Sequence, residues 1–239
     1  MMTEETKTSA MVGFGDLFKN SWEVFTKVWV DYLWLYLLTL VVVGGIVFVT
    51  VGGAIVTAVI GGAGSTVTPA VLYTAGPIAF IGLIVAILAG IIFALAIINL
   101  VYRVAEGKTE TFKTSMSYAF KNYLKYLWVS FVLGLILVIG YIFLVIPGII
   151  ASVFFFAVPA IFIIEDNHTL NVLKRSSELV SGYFWPVLGR LAVLVLVGAV
   201  VGAITGYVPF LNLVVSFVLA PFSMAYMYFI YADLKKIKA

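Results

Sequence analysis

The sequence predicts an all-α, polytopic membrane protein. It has six transmembrane helices in three pairs, each pair preceded by an amphipathic interfacial helix. Three observations carry that prediction. First, 64% of the 239 residues are hydrophobic and only 10% are charged, with a mean hydropathy of +1.18. Soluble domains run near 45–50% apolar and about 25% charged, so a single water-facing core cannot hide this much apolar surface. Second, all fourteen Lys and Arg fall in four clusters, and the apolar stretches between them carry no charge. Third, one amphipathic pattern occurs three times along the chain.

The spans follow in order. Apolar segments cover 32–58, 77–102, 124–145, 147–165, 186–207 and 209–232, against a requirement of about 20 residues per span. A Gly/Ser/Thr-rich loop, Gly61 to Gly76, joins the first pair. Tight hairpins at Val145-Ile146-Pro147-Gly148 and Tyr207-Val208-Pro209 join the other two, since Pro lacks an N–H and ends a helix. Lys7, Lys19 and Lys27 precede span one. Arg103, Lys108, Lys113, Lys121 and Lys125 lie between spans two and three. Lys174, Arg175 and Arg190 lie between spans four and five, and Lys235, Lys236 and Lys238 follow span six. The opposite loops have no Lys or Arg. The positive-inside rule therefore places both termini in the cytoplasm of a cell membrane protein. Residues 1–16 are polar and lack the apolar run of a signal peptide. With no cysteine, disulfides and thiolate chemistry are excluded. A net charge of +3 confined to one side reads as topology and not as a nucleic-acid footprint.

Three of the four cation-bearing segments hold a similar helix. The pattern apolar–Lys–x–Ser appears at Phe18-Lys19-Asn20-Ser21, Phe112-Lys113-Thr114-Ser115 and Leu173-Lys174-Arg175-Ser176, with an aromatic eleven residues after the first position (Trp29, Tyr123, Phe184). The whole chain is then one integral membrane domain built from pseudo-repeats at about 14–103, 109–166 and 169–233. The predicted apolar faces are Leu17, Phe18, Ser21, Trp22, Phe25, Val28 and Trp29; then Phe112, Met116, Ala119, Phe120, Tyr123 and Leu127; then Val172, Leu173, Ser176, Val180, Tyr183 and Phe184. Such helices belong in the headgroup plane.

Pro147 and Pro159, like Pro209 and Pro221, lie twelve residues apart. The first opens a span and the second kinks it, freeing a carbonyl that neighbours must satisfy. Small-residue stripes at Ala86, Gly90 and Ala94, and at Gly198, Gly202 and Gly206, suit close helix packing. They put spans two and five at the centre; a homo-oligomer contact is the competing use of the second stripe.

No span carries a charged residue or His away from its ends, which argues against proton relays and charged filters. Asn99, Ser130, Ser152, Asn212, Ser216 and Ser223 are the polar groups within spans; Asn99 and Asn212 need hydrogen-bond partners and are read chiefly as interhelical hydrogen-bonding residues. The only His, His168, follows Glu165 and Asp166, without the second His or spacing of a metal site. Asp166, Asn167 or Thr169 is expected to cap the following helix, and Glu165 to face Lys174, Arg175 or Arg190. Glu165, Asp166 and Ser176 form a candidate polar cluster on the cytoplasmic side. No catalytic residue, cofactor or metal is expected. Asn167-His168-Thr169 matches a glycosylation sequon on what the charges make the cytoplasmic side, so it is read as accidental.

Ile146-Pro147-Gly148, Pro159, Ile164-Glu165-Asp166, Leu173-Lys174-Arg175-Ser176 and Leu179-Val180-Ser181-Gly182 together resemble the membrane domain attached to some glycerophosphodiester phosphodiesterases, and related stand-alone six-helix membrane proteins of prokaryotes. The resemblance implies a membrane module concerned with lipids or the envelope. It does not carry phosphodiesterase activity, because those hydrolases use a soluble catalytic barrel for which this chain has no room. The expected function is therefore a non-enzymatic membrane protein associated with lipid or the envelope. Its partners would be membrane lipids, and a further copy or another membrane protein, but no nucleic acid. Lys19, Lys113, Lys121, Lys125, Lys174 and Arg175 would meet anionic headgroups, at roughly 1 kcal/mol per basic residue. The alternative is a permease for a small neutral or amphipathic solute, with a mid-depth cavity lined by Asn99, Asn212, Ser152 or Ser216.

Overall fold

Every regular element among the described residues of the computed structural model is helical. It describes residues 11–53, 56 and 69–238. Helix α1 spans Phe14–Val47 and runs on through a π-turn, Phe48–Gly52. α2 is Pro69–Ala105, α3 Phe112–Phe143, α4 Val145–Phe155, α5 Val158–Ile164, α6 Asn171–Val180, α7 Phe184–Thr205 and α8 Pro209–Ile237. Six helices are long and apolar enough to cross a membrane: Phe14–Gly52, Gly76–Ala105, Phe112–Phe143, Val145–Ile164 (α4 with α5), Phe184–Thr205 and Leu211–Ile237. This is the architecture of a multi-pass membrane protein. Of the loop expected from Gly61 to Gly76, residues 61–68 lie outside the described residues, as does Lys7, and residues 69–76 are instead the first turns of α2. Pro77, expected to open span two, sits inside α2.

Only the third amphipathic segment is a separate helix. Residues 14–29 and 112–123 are the first turns of α1 and α3, which run unbroken into their spans. No Pro interrupts either junction, so nothing makes the backbone stop. At 1.5 Å per residue these helices are about 50 Å long, well beyond the ~30 Å hydrocarbon layer. α6 stands alone because Gly182 (φ 86) breaks the chain after Val180, a backbone state that glycine adopts without strain.

The chain divides into two compact units. One comprises residues 30–97 and 111–123. Here Asp31 Oδ1 accepts the Phe112 N–H at 2.8 Å, which caps α3. A Cβ on Gly82 would collide with Thr50 of the π-turn, so a glycine is needed at that close approach. Gly82 is buried, as is Ala86 one turn on, while Gly90 has open space and Ala94 is half-buried.

The other unit comprises residues 1–29, 98–110 and 124–239. α2 ends there in a Schellman motif, with Lys108 N–H donating to Arg103 O (2.9 Å), Gly107 N–H to Val104 O (3.0 Å) and Gly107 at φ 90. α6 packs on α4, α5 and α8, and α7 packs on α4 and α8. Leu17, Val153, Val180, Val187, Leu194, Phe222, Tyr226, Ile230 and Leu234 form its core. The apolar face of α6 (Val172, Leu179, Val180) is wholly buried by protein, so α6 does not lie with that face in lipid.

In this unit α4–α5 is the span most enclosed, with 44% of its most apolar stretch buried against 11% for α7. Span five is therefore peripheral, contrary to the reading from its glycines. A Cβ on Gly198 or Gly202 would meet nothing within 4 Å, and one on Gly206 would meet only its own helix. Small residues permit close packing but do not demand it. The close contact lies instead at the α3–α4 hairpin, where a Cβ on Gly140 would come 3.2 Å from Gly148 Cα.

Candidate functional site

The three pattern serines share one property: Ser21, Ser115 and Ser176 are all fully buried. The buried line on α1 runs Leu17, Ser21, Val24, Val28, Tyr32, Leu35, at helical spacing through the serine. Trp22 and Trp29, predicted on that face, are exposed. Ser21 donates to Leu17 O at 2.6 Å, and Ser176 donates across to Phe154 O at 2.7 Å. α4 stops at Phe155 ahead of Pro159, leaving its last carbonyls without helical donors, and Ser176 satisfies one of them.

Ser176 thus stands apart from the polar cluster expected with Glu165 and Asp166. The Glu165 carboxylate accepts the Tyr231 hydroxyl at 2.9 Å and faces Arg175 and Lys235, each at 3.4 Å. Lys235 also donates to the Tyr231 oxygen at 3.2 Å. Of the expected partners only Arg175 is used; Lys174 lies 3.9 Å from Glu178. Burial pushes the Glu165 carboxyl up, but the Tyr231 bond, Lys235 and Arg175 outweigh it and hold it below the ordinary 4.5. The unfolded chain then binds the proton first. This contribution to stability is complete above pH 4.5 and is lost as pH falls through the lowered folded value. Melting curves taken down to pH 3 are expected to fall along this limb in the native chain and less steeply in Glu165→Gln. Identical acid limbs would remove the cluster's role.

Asp166 is the one described non-glycine residue at positive φ (50°), and its Oδ1 lies 3.2 Å from His168 Nε2. The His168 ring stands edge-on to Phe162, centroids 4.6 Å apart. Thr169 provides the contact to α6, its hydroxyl accepting the Asn171 N–H at 3.3 Å. Among the described residues no group of three His, Asp or Glu is placed to hold a metal.

The six candidate headgroup cations separate into two classes. Lys19, Lys113, Lys121 and Lys125 are exposed and make no ion pair or hydrogen bond among the described residues. Lys174 is exposed beside Glu178, and Arg175 is committed to Glu165. All five tryptophans (Trp22, Trp29, Trp34, Trp128 and Trp185) are exposed, as indoles of an interfacial belt are.

One constellation escaped sequence reading. Val12, just ahead of α1, is clamped at both backbone polar groups. Its N–H donates to Asp233 Oδ2 of α8 (2.8 Å), and its carbonyl accepts from Arg190 Nη2 of α7 (2.8 Å). Arg190 also donates to Pro186 O (3.2 Å) and lies 5.5 Å over the Phe14 ring. Tyr226 donates to the Arg190 carbonyl at 3.3 Å. Asp233 is buried and Arg190 half-buried, and the two side chains hold the N–H and the C=O of the same residue.

The same unit contains an apolar groove of about 560 Å³ walled by α4 (Ile149, Ser152, Val153) and α7 (Leu188, Leu191, Ala192, Leu194, Val195), with Tyr141, Phe156 and Met227 closing it. Its polar lining is one pair: Tyr141 Oη lies 3.0 Å from Ser152 Oγ, and Ser152 donates to Gly148 O at 2.8 Å. Of the residues expected around a solute cavity, Ser152 alone is here. Asn99 is buried, and Ser216 donates to Asn212 along the exposed side of α8 at 3.0 Å. No protein-family model, curated protein or solved structure matches this chain.

Proposed function

We propose that the chain is a non-enzymatic, lipid-associated membrane protein of the cell membrane, with both termini cytoplasmic, and that it engages anionic headgroups through Lys19, Lys113, Lys121 and Lys125. One observation carries this reading: among the described residues these four ammonium groups are exposed and make no ion pair or hydrogen bond, and they belong to the sequence segments in which the Lys and Arg cluster. Lys and Arg near a membrane surface gain roughly 1 kcal/mol each from anionic lipid. The exposed tryptophans and the resemblance of residues 146–182 to a membrane domain of lipid-related hydrolases support the same reading.

Charge reversal at the four lysines is the test, with lipid retention read by native mass spectrometry from mixed anionic and zwitterionic nanodiscs. The quadruple Lys→Glu variant should lose the preference for anionic lipid by two orders of magnitude or more, since about 1 kcal/mol per site sums to about 4. Unchanged retention would refute the proposal. Arg175→Glu should act differently, lowering stability through Glu165 with little change in lipid preference. The permease reading draws on Ser152 in the groove alone and is the weaker of the two.

A further inference from the structure

The groove between α4 and α7 is apolar except for one polar pair, and its wall opens outward. Tyr141, Ile149, Ala192 and Val195 line it and are exposed. Tyr141 and Ser152 both lie close in sequence to the α3–α4 hairpin at Leu144, on the end of the spans away from the cations. Met227, nearer the cation-bearing end of α8, lines it as well. A groove open at the depth of the spans is filled by hydrocarbon, because water there finds no partners. Its volume lies in the range of ligand pockets, about 300–1,000 Å³. It offers one hydrogen-bonding pair, and that pair is not saturated. The Tyr141 hydroxyl and Ser152 hydroxyl share one hydrogen bond, which leaves lone pairs on the phenol. If Ser152 turns its proton to Tyr141, the phenol can donate outward, and Gly148 O keeps its helical N–H.

From this we infer that the groove is a binding site for one acyl chain of an ester lipid. The chain lies between α4 and α7, and the ester carbonyl is hydrogen-bonded by Tyr141. This deepens the lipid reading above and rests on it for the bilayer setting, but it uses none of the lysines. Headgroup charge and chain site can therefore fail separately.

The experiment uses the full chain in proteoliposomes containing phosphatidylcholine with a diazirine in its acyl chain. After photolysis the labelled peptides are mapped. A zwitterionic probe keeps headgroup charge out of the result. Labelling of residues 149–156 and 188–195 should saturate as the probe fraction rises, whereas labelling of the exposed α3 face at Leu135, Val138 and Ile142 should rise linearly, as it does for bulk lipid. Ala192→Trp, which fills the groove from an exposed position, should abolish the saturable component. Tyr141→Phe should weaken it about fivefold, the amount one ordinary hydrogen bond contributes. The quadruple lysine variant should leave it unchanged. Linear labelling of the groove peptides in the native chain overturns the inference without reliance on any variant. So does a saturable site that persists in Ala192→Trp. A second copy of the chain seated there would also overturn it, and would appear as cross-linked dimer in place of lipid adduct.

Discussion

Arg190→Met is expected to cost about 3 kcal/mol of stability and to release residues 11–13 from α7 and α8. The guanidinium donates to Val12 O and Pro186 O, and with Lys236 it is one of the two cations whose charge reaches buried Asp233. Methionine preserves the stem's packing and removes all three roles. Breaking one partner of a buried charged arrangement typically costs 3–5 kcal/mol, because the other charge remains in low dielectric. The lower end applies here. Arg190 Nε is itself buried without a hydrogen-bond partner, and its removal gives back part of the loss. Thermal melts in nanodiscs with limited proteolysis ahead of Phe14 would show both effects. Asp233→Asn, which keeps an acceptor for the Val12 N–H, should cost less than Arg190→Met. If Arg190→Met melts with the native chain and its first residues stay protected, the clamp does not hold the segment.

Gly148→Leu should be nearly as damaging, by about 3 kcal/mol from overpacking alone. A Cβ at Gly148 would come 2.5 Å from the Tyr141 ring, at Cγ and Cδ1 close to its root, so the ring cannot clear it by moving its far end alone. Across the hairpin, Gly140 approaches the Gly148 backbone too closely to give way. The displaced ring also loses Ser152. Gly198→Leu, on the peripheral face of α7, is the control: open space surrounds it, so it should shift the melt little. A Gly148→Leu chain as stable as Gly198→Leu would mean that the hairpin can open at negligible cost.

The spans, the two Pro-marked hairpins and the cation clusters could all be read from residue order, because each is written in contiguous residues. Whether an amphipathic segment continues into its span could not. That depends on a single break, present at Ser181-Gly182 and missing before Val30 and Leu124. The serine at each occurrence of the apolar–Lys–x–Ser pattern was visible, but its burial was not, since aromatic neighbours appeared the better core candidates. Trp22 and Trp29 turned outward because a lipid-facing surface rewards large apolar groups as readily as a core does. The glycines of α7 misled for the same reason. The Arg190–Val12–Asp233 clamp joins residues 178 and 221 positions apart, and no local pattern encodes such a partnership. Glu165 was legible as a charged residue needing a counterion; Lys235 and Tyr231 entered only through the approach of α8.

The outward placement of all five indoles decides what optical spectroscopy of this molecule can report. Emission colour and bromolipid quenching should follow solvation by the surrounding bilayer or detergent. The folding transition of the interior, which holds tyrosine and phenylalanine but no tryptophan, should be nearly silent at those wavelengths. Denaturation is therefore better followed by ellipticity, and the intrinsic fluorescence left free as a built-in gauge of the lipid environment.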